Sequence, residues 1–349
     1  MGRMRTILFI TLLLLATGAS LYATTYQTRQ LSTPDGSTSE AWRINDSGQA
    51  IGSVWSTSAT SAALWQASGV LNTPIAGDAF THDINNQGQF TGEFMSSDGY
   101  SHPYIWGSGT GIIDLSTDLP RGARMKGINA GGSIVGIDGL DYPYAALTWD
   151  SASGVTYLPT DGYESYVVAG ISDSGVVAGT VDVAPHTPRA FTWSADSGMT
   201  ILFPDGSWNG VTAMSSGGTL LGWSSAQDQT EDSFIWSAER GKISLPFNTQ
   251  DDGISPCAVN DRGMVTGTMY SSGGTENVFV WSLETGFTIL GEGRAHDINN
   301  AGWVVGSVGN SQDTHAALWH PVPEPSSLLV LGMGMLPMMR GLARRQRRR

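Results

Sequence analysis

A nine-residue stretch, Ile44-Asn45-Asp46-Ser47-Gly48-Gln49-Ala50-Ile51-Gly52, returns in outline six more times and narrows the possible folds more than any other feature of the chain. Its outline is an aliphatic residue, a polar pair, a small residue and Gly, then a short apolar run ending on a second Gly. The copies begin at Ile84, Ile128, Ile171, Met214, Val259 and Ile298, and their first glycines are 40, 44, 43, 43, 45 and 39 residues apart. Self-similarity at such a period belongs to propellers and solenoids.

Each unit holds four strand-like runs. The first ends at the aliphatic-polar pair (Ala41–Asn45), and a turn at Asp46-Ser47-Gly48 follows, with Gly free to take a positive φ and Asn or Asp placed to bond the turn backbone. The second run is Gln49–Trp55. The third closes on a tryptophan in every copy: Trp65, Trp106, Trp149, Trp193, Trp236, Trp281 and Trp319. After another Gly a fourth run opens, such as Gly154–Leu158. Short apolar or alternating runs bounded by Gly and Asx turns are strands, and four in about 43 residues make one propeller blade. The interval from the second-run Gly to the Trp is 13 or 14 residues in all seven copies, so the variation in length falls between units, as it does in meandering blades with variable connections.

The chain begins and ends out of phase with its repeat. The last copy stops after its third strand at Trp319, while an extra strand near Thr28–Leu31 precedes the first copy. Leu31 lies 13 residues before Ile44, as the fourth-strand residues Leu71, Leu115 and Leu158 lie 13 before Ile84, Ile128 and Ile171. The N-terminal strand therefore has the register of the piece the last copy lacks. Pairing it there predicts an all-β, seven-bladed propeller of four-stranded antiparallel blades over residues 24–320, closed into a ring without open edges. A solenoid would instead carry atypical capping repeats at its ends.

Charge excludes one class of partner. Between residues 24 and 320 stand ten basic and 30 acidic side chains, about −20 in all, with no basic stripe; a nucleic-acid surface needs the opposite sign. Cys257 is the only cysteine, so no intramolecular disulfide forms, and it reads as a small buried apolar residue. The sequence offers no cofactor motif.

The termini carry information about destination. Residues 1–23 read as a secretory signal: Arg3 and Arg5 at the start, the apolar stretch Ile7–Ala16, and Leu21-Tyr22-Ala23 or Thr17-Gly18-Ala19 before the cut. The third-strand copies Arg189-Ala190-Phe191-Thr192-Trp193, His315-Ala316-Ala317-Leu318-Trp319 and Ser233-Phe234-Ile235-Trp236, joined to the Ile-Asn-Asp-x-Gly turns, resemble the bacterial extracellular HAF repeats over nearly all of residues 26–320. No copy has the full His-Ala-Phe triplet, and the resemblance implies a secreted repeat scaffold without catalytic residues to transfer. Residues 321–349 resemble the PEP-CTERM sorting signal of Gram-negative bacteria. The motif Val322-Pro323-Glu324-Pro325-Ser326 precedes an apolar run, Leu328–Met339, and a basic end of Arg340, Arg344, Arg345, Arg347, Arg348 and Arg349. That resemblance implies an exosortase-type processing enzyme as partner, transient holding in the inner membrane with the arginines cytoplasmic, and delivery to the cell surface or an extracellular polysaccharide matrix. The run of 12 residues is short against the roughly 20 of a full span, so snorkelling arginines must help.

Little in the body of the chain points to chemistry. Asp83-x-Asn85-x-Gln87-Gly88 and Asp297-x-Asn299-x-Ala301-Gly302 have the alternating oxygen donors of a calcium loop but lack its later bidentate acid, and read as turn chemistry. His82 and His296 occupy equivalent repeat positions, which accounts for them without a metal. The seven repeated tryptophans read as packing between blades, leaving Trp42, Trp55, Trp208, Trp223 and Trp303 as better candidates for ligand contact. Ser172-Asp173-Ser174-Gly175 has part of a sialidase-type Asp box without its Thr-Trp, and no nucleophile elbow, zinc-protease helix or phosphate loop is present. One position breaks the repeat: two residues before each aliphatic anchor stand Trp42, His82, Lys126, Ala169, Thr212, Cys257 and His296. We take Trp42, His82, Lys126, Thr212 and His296, with Trp208, as the candidate ligand rim. The expected function is that of a non-catalytic binding or structural module of the envelope or extracellular matrix. The alternative is a hydrolase or lyase acting on polysaccharide, which a cluster of carboxylates at Trp208 or the central mouth would favour.

Overall fold

In a computed structural model, residues 25–322 are described apart from short stretches at 76, 140–142, 161, 184–186, 205–207, 226–230, 249–252, 272 and 311. The signal segment and residues 323–349 of the sorting signal lie outside the described residues. Residues 26–320 form one compact unit. Every regular element among the described residues is a β-strand, and the strands make seven four-stranded antiparallel sheets. In blade 1 the order is Thr38–Ile44, Ala50–Trp55, Thr60–Trp65, Leu71–Ile75, each strand paired with the next in sequence. Blades 2 to 6 repeat that order. The protein is a seven-bladed propeller, as the repeat predicts.

The first strand of each blade is the inner one: Thr38–Ile44, Ala79–Ile84, Arg124–Ile128, Tyr166–Ile171, Trp208–Met214, Ile254–Val259 and Arg294–Ile298. Each packs against the inner strand of the next blade, and the seventh packs against the first, so the ring is closed. Blade 7 is mixed. Its inner three strands are Arg294–Ile298, Val304–Asn310 and Asp313–Val322, and its outer strand is the N-terminal Thr25–Gln30. The register is that of the other blades. The Leu31 amide donates to Ala316 O at 2.8 Å, as Leu115 donates to Pro103 O, Leu158 to Ala146 O and Leu202 to Ala190 O, each at 2.9 Å.

The repeat explains itself at its two glycines. The first-turn glycines from Gly48 to Gly302 all have φ between 75° and 92°, which side-chain-bearing residues rarely adopt. The second glycines answer a different need. In every inner strand one residue is unmatched, so the ladder slips between the residue three before the anchor and the residue one before it: Ala41 faces Gly52 and Arg43 faces Ile51, with Trp42 left over. The other six inner strands slip at the same place. Each bulge presses the backbone of the inner strand onto the partner glycine, so that a methyl on Gly52, Gly92, Gly136, Gly179, Gly222, Gly267 or Gly306 would overlap a carbonyl oxygen of the inner strand.

The core lies between blades. The anchors Ile44, Ile84, Ile128, Ile171, Val259 and Ile298 are buried, and Trp65, Trp149, Trp193, Trp281 and Trp319 are at most 8% exposed; Trp106 and Trp236 are half-buried. Large third-strand rings fill the layer next to them: Tyr104, Phe191, Phe234 and Phe279 are fully buried. Burial of a ring of this size stabilises by about 1.5–3 kcal/mol, so the repeated tryptophan column is a leading contributor to the ring.

Candidate functional site

The bulge is where the channel acquires its character. A bulge leaves two residues of one strand opposite one of its partner, and here several of the residues two or one before the anchor reach the axis. At the turn end of the axis the seven inner strands enclose a polar cavity of about 130 Å³. Lys126, Ala169, Thr212 and Cys257 reach it from the position two before the anchor, and Arg43, Asp83 and Asp297 from the position one before it. Of the sequence-predicted rim, Lys126 and Thr212 therefore line this cavity. Trp42 and His296 close on each other across the junction of blades 7 and 1, ring centroids 4.5 Å apart, and Trp42 also meets Trp55 edge-on at 6.3 Å. His82 lies 3.7 Å from Glu93, and His296 lies 3.8 Å from Glu40. Trp208 is apart from them, at the start of its inner strand and 54% exposed.

The two carboxylates at the axis are also structural. Asp83 accepts the Ile128 amide of blade 3 at 2.9 Å, and Asp297 accepts the Ile44 amide of blade 1 at 2.9 Å; Arg43 stands 3.9 Å from Asp83. Burial pushes Asp83 up to about 6 against the pull of Arg43 and two backbone amides, and it raises Asp297 as well. His296 is pushed down to about 4, first by burial and then by Arg43 and Arg294. The thiol of Cys257 donates to Ala295 O, and burial raises it to about 12, leaving almost no thiolate at neutral pH.

These shifts have opposite consequences for stability. A buried acid with a raised pKa favours its protonated form in the folded state, so the Asp83 contribution is full below about pH 4 and is lost as pH rises through about 6. A histidine with a lowered pKa behaves in reverse, and its contribution is lost as pH falls from 6.5 through about 4. Each is worth at most about 3 kcal/mol. We expect Asp83→Asn to gain stability over the wild type as pH rises from 4 to 6, and His296→Gln to lose it over the same range. Urea melts at several pH values check this; parallel profiles for all three proteins would refute it.

The Asx turns next to the cavity have a second role that the sequence does not show. Asn45 Oδ1 accepts the Gln49 amide at 2.9 Å and so caps its own hairpin, while its Nδ2 donates to Asn85 O of the next blade at 3.0 Å. Asn85 reaches Asn129 O, Asn129 reaches Ser172 O, Asn260 reaches Asn299 O, and Asn299 reaches Asn45 O. Only Ser172 and Ser215 replace Asn at this position, and the seam lacks its amide link there. The oxygen donors of the calcium-loop pattern are thus spent on backbone amides. Among the described residues no three His, Cys, Asp or Glu side chains converge as a metal-ligand set.

With the fold and the axis in view, the chain defines itself as a velcro-closed β-propeller. No family model and no curated protein matches it. It is similar to the β-propeller domain of the Trilobed protease from Pyrococcus furiosus (11% identity, TM-score 0.60), over 82% of this chain and 94% of that one. It is also similar to the acylaminoacyl peptidase of Pyrococcus horikoshii, with 11% identity and a TM-score of 0.57, over 86% of this chain and 55% of that one. TolB from Acinetobacter baumannii gives 14% identity and a TM-score of 0.50, over 74% of this chain and 64% of that one. The chain spans less than two thirds of the last two, and at these identities the likeness is one of fold.

Proposed function

We propose that this propeller is an exported, non-catalytic binding or structural module of the bacterial envelope or extracellular polysaccharide matrix, delivered through its C-terminal segment. The observation that carries the binding role is the contrast at the axis: the bulge, its partner glycine and the anchor repeat in all seven blades, while the residue held at the bulge differs in nearly every one. A uniform frame that presents unlike side chains is suited to recognition. The HAF-type repeats and the Pro-Glu-Pro tail support export.

The hydrolase reading anticipates carboxylates at the central mouth, and Asp83 and Asp297 are there. Both are engaged by an amide of the next blade, and a cavity of about 130 Å³ is smaller than the roughly 300–1,000 Å³ of small-molecule sites. The non-catalytic reading is the better supported.

Sorting is tested by expressing the full chain and a form truncated after Pro321 in a bacterium that carries an exosortase-type enzyme. Loss of processing and of surface delivery in the truncated form is expected, and unchanged processing and delivery would sink the sorting role. Turnover of any glycan by the purified protein would overturn the non-catalytic role.

A further inference from the structure

The residue after each first-turn glycine decides how tightly neighbouring blades meet. These residues are Gln49, Gln89, Ser133, Val176, Thr219, Met264 and Trp303 in blade order. Where the side chain is long, it lies over the turn glycine of the next blade: a methyl on Gly48 would meet the Trp303 ring, one on Gly88 would meet Gln49, and one on Gly302 would meet Met264. Val176 is too short to reach. Neither it nor any other side chain comes nearer than 3.9 Å to a methyl placed on Gly218. The same two blades, 4 and 5, carry Ser172 and Ser215 in place of the seam asparagines. Ser133 is also short, and a methyl on Gly175 would meet nothing within 4 Å, but the seam amide is present there; an open turn glycine and a missing seam amide coincide between blades 4 and 5.

The result is a cleft of about 530 Å³ between blades 4 and 5, reaching the edge of blade 6 and within the size range of ligand sites. Trp236 forms part of its wall and is half-buried, whereas Trp65 and Trp319 of the same series are completely covered. Ser174, Ser197, Glu239, Arg240 and Asp261 also line the cleft. Asp261 is fixed in place, accepting from the Gly217 amide and from Asn300 Nδ2, each at 2.7 Å. An indole face beside a held carboxylate, a guanidinium and hydroxyls matches a pyranose, which has an apolar C–H face and a rim of vicinal hydroxyls.

We infer that the cleft between blades 4 and 5 is a saccharide subsite that takes a neutral pyranose unit of a glycan chain against Trp236. The acidic body, about −20 over residues 24–320, disfavours polyanionic glycans there. The inference rests on the reading of the protein as a binding module and gives that module a ligand class and a place. It also returns a role to one member of the tryptophan series that packing otherwise explains.

The test is calorimetric and fluorimetric titration of the purified full-length protein with cellotetraose, laminaritetraose and chitotetraose, with tetragalacturonate as the anionic comparison. The wild type is expected to bind at least one neutral tetrasaccharide about tenfold or more tightly than tetragalacturonate. Val176→Trp copies into this junction the filling that Trp303 gives the junction of blades 7 and 1. It is expected to weaken binding by about tenfold or more without lowering the melting temperature, and Trp236→Phe to weaken it through a smaller stacking face. Ile112→Ala, exposed on the outer strand of blade 2, should leave binding unchanged, and Lys126→Ala tests the axis instead. Binding that survives both cleft variants, or that prefers tetragalacturonate, overturns the saccharide cleft. If binding is lost only in Lys126→Ala, the cleft falls while the binding module stands. No binding of any neutral tetrasaccharide overturns the cleft, and a blank array of other glycans and envelope proteins would overturn the module separately.

Discussion

Removing residues 25–31 is expected to abolish cooperative melting of the whole ring, although the deleted strand belongs to one blade in seven. The strand joins the two ends of the chain. Leu31, 3% exposed, packs with Ala41 and Ile44 of blade 1 and with Val305 and Leu318 of blade 7. Its amide donates to Ala316 O, and the next residue, Ser32, accepts the indole N–H of Trp65 at 2.7 Å. The segment therefore seals the outer edge of blade 7 and supports the tryptophan column of blade 1. A single Leu31→Ala change should cost about 2–5 kcal/mol, a large fraction of the 5–15 kcal/mol by which domains are stable. Deletion adds an exposed edge on Asp313–Val322, which invites pairing with other chains. Scanning calorimetry and size-exclusion chromatography should show a broad or absent transition and self-association. A peptide of residues 24–40 added in trans should restore part of the transition by strand addition. A sharp, unshifted transition from a monomeric deletion protein would show that the ring does not depend on this closure.

That closure was legible because it rests on local spacing. Strand signals, turn glycines and the 13-residue interval before the first four anchors are all read within one repeat, and counting them at both ends of the chain places the N-terminal strand in the last blade. The bulge was half visible. The repeated second glycine and the variable residue before the anchor were each plain, yet their connection is a slip in pairing, and pairing is a relation between strands. The asparagines were read correctly as turn caps, since Oδ1 bonds the amide four residues on. The other half of the side chain bonds a blade about 40 residues away, and no local pattern reports that. The cleft was hidden for a related reason. Val176 is an ordinary residue in its own turn, and its shortness matters only against the glycine of the next blade. Trp236 keeps the spacing of the other tryptophans, and its half-burial, shared with Trp106, shows only in the fold. The sorting motif and the signal segment remain sequence expectations, carried by residues beyond the ring.

The seam of asparagines should separate two functions of one side chain. Asn299, 4% exposed, accepts the amides of Ala301 and Trp303 at 3.0 and 2.9 Å and donates to Asn45 O across the closing junction at 3.0 Å. Asn299→Ala leaves all three backbone groups without that partner. An unsatisfied buried group costs about 1–3 kcal/mol, so the variant should lose about 3 kcal/mol or more. Asn299→Ser reproduces what blades 4 and 5 already contain. Ser172 Oγ accepts the Val176 amide at 3.1 Å and Ser215 Oγ accepts the Thr219 amide at 3.0 Å, so a serine keeps a hairpin cap and gives up the bond between blades. It should therefore cost about 1–2 kcal/mol, less than alanine. The reverse changes, Ser172→Asn and Ser215→Asn, should add the missing links and raise stability by about 1 kcal/mol each. Because Ser172 also borders the blade 4–5 cleft, its replacement by Asn should weaken tetrasaccharide binding while it stabilises the fold. Chemical denaturation of the four variants, with titration of the Ser172 variant, checks the set. Equal losses for Asn299→Ser and Asn299→Ala would show that the bond between blades contributes everything and the cap nothing. A Ser172→Asn protein no more stable than the wild type would mean that the seam is complete without the amide, and that blades 4 and 5 gave up nothing to open the cleft.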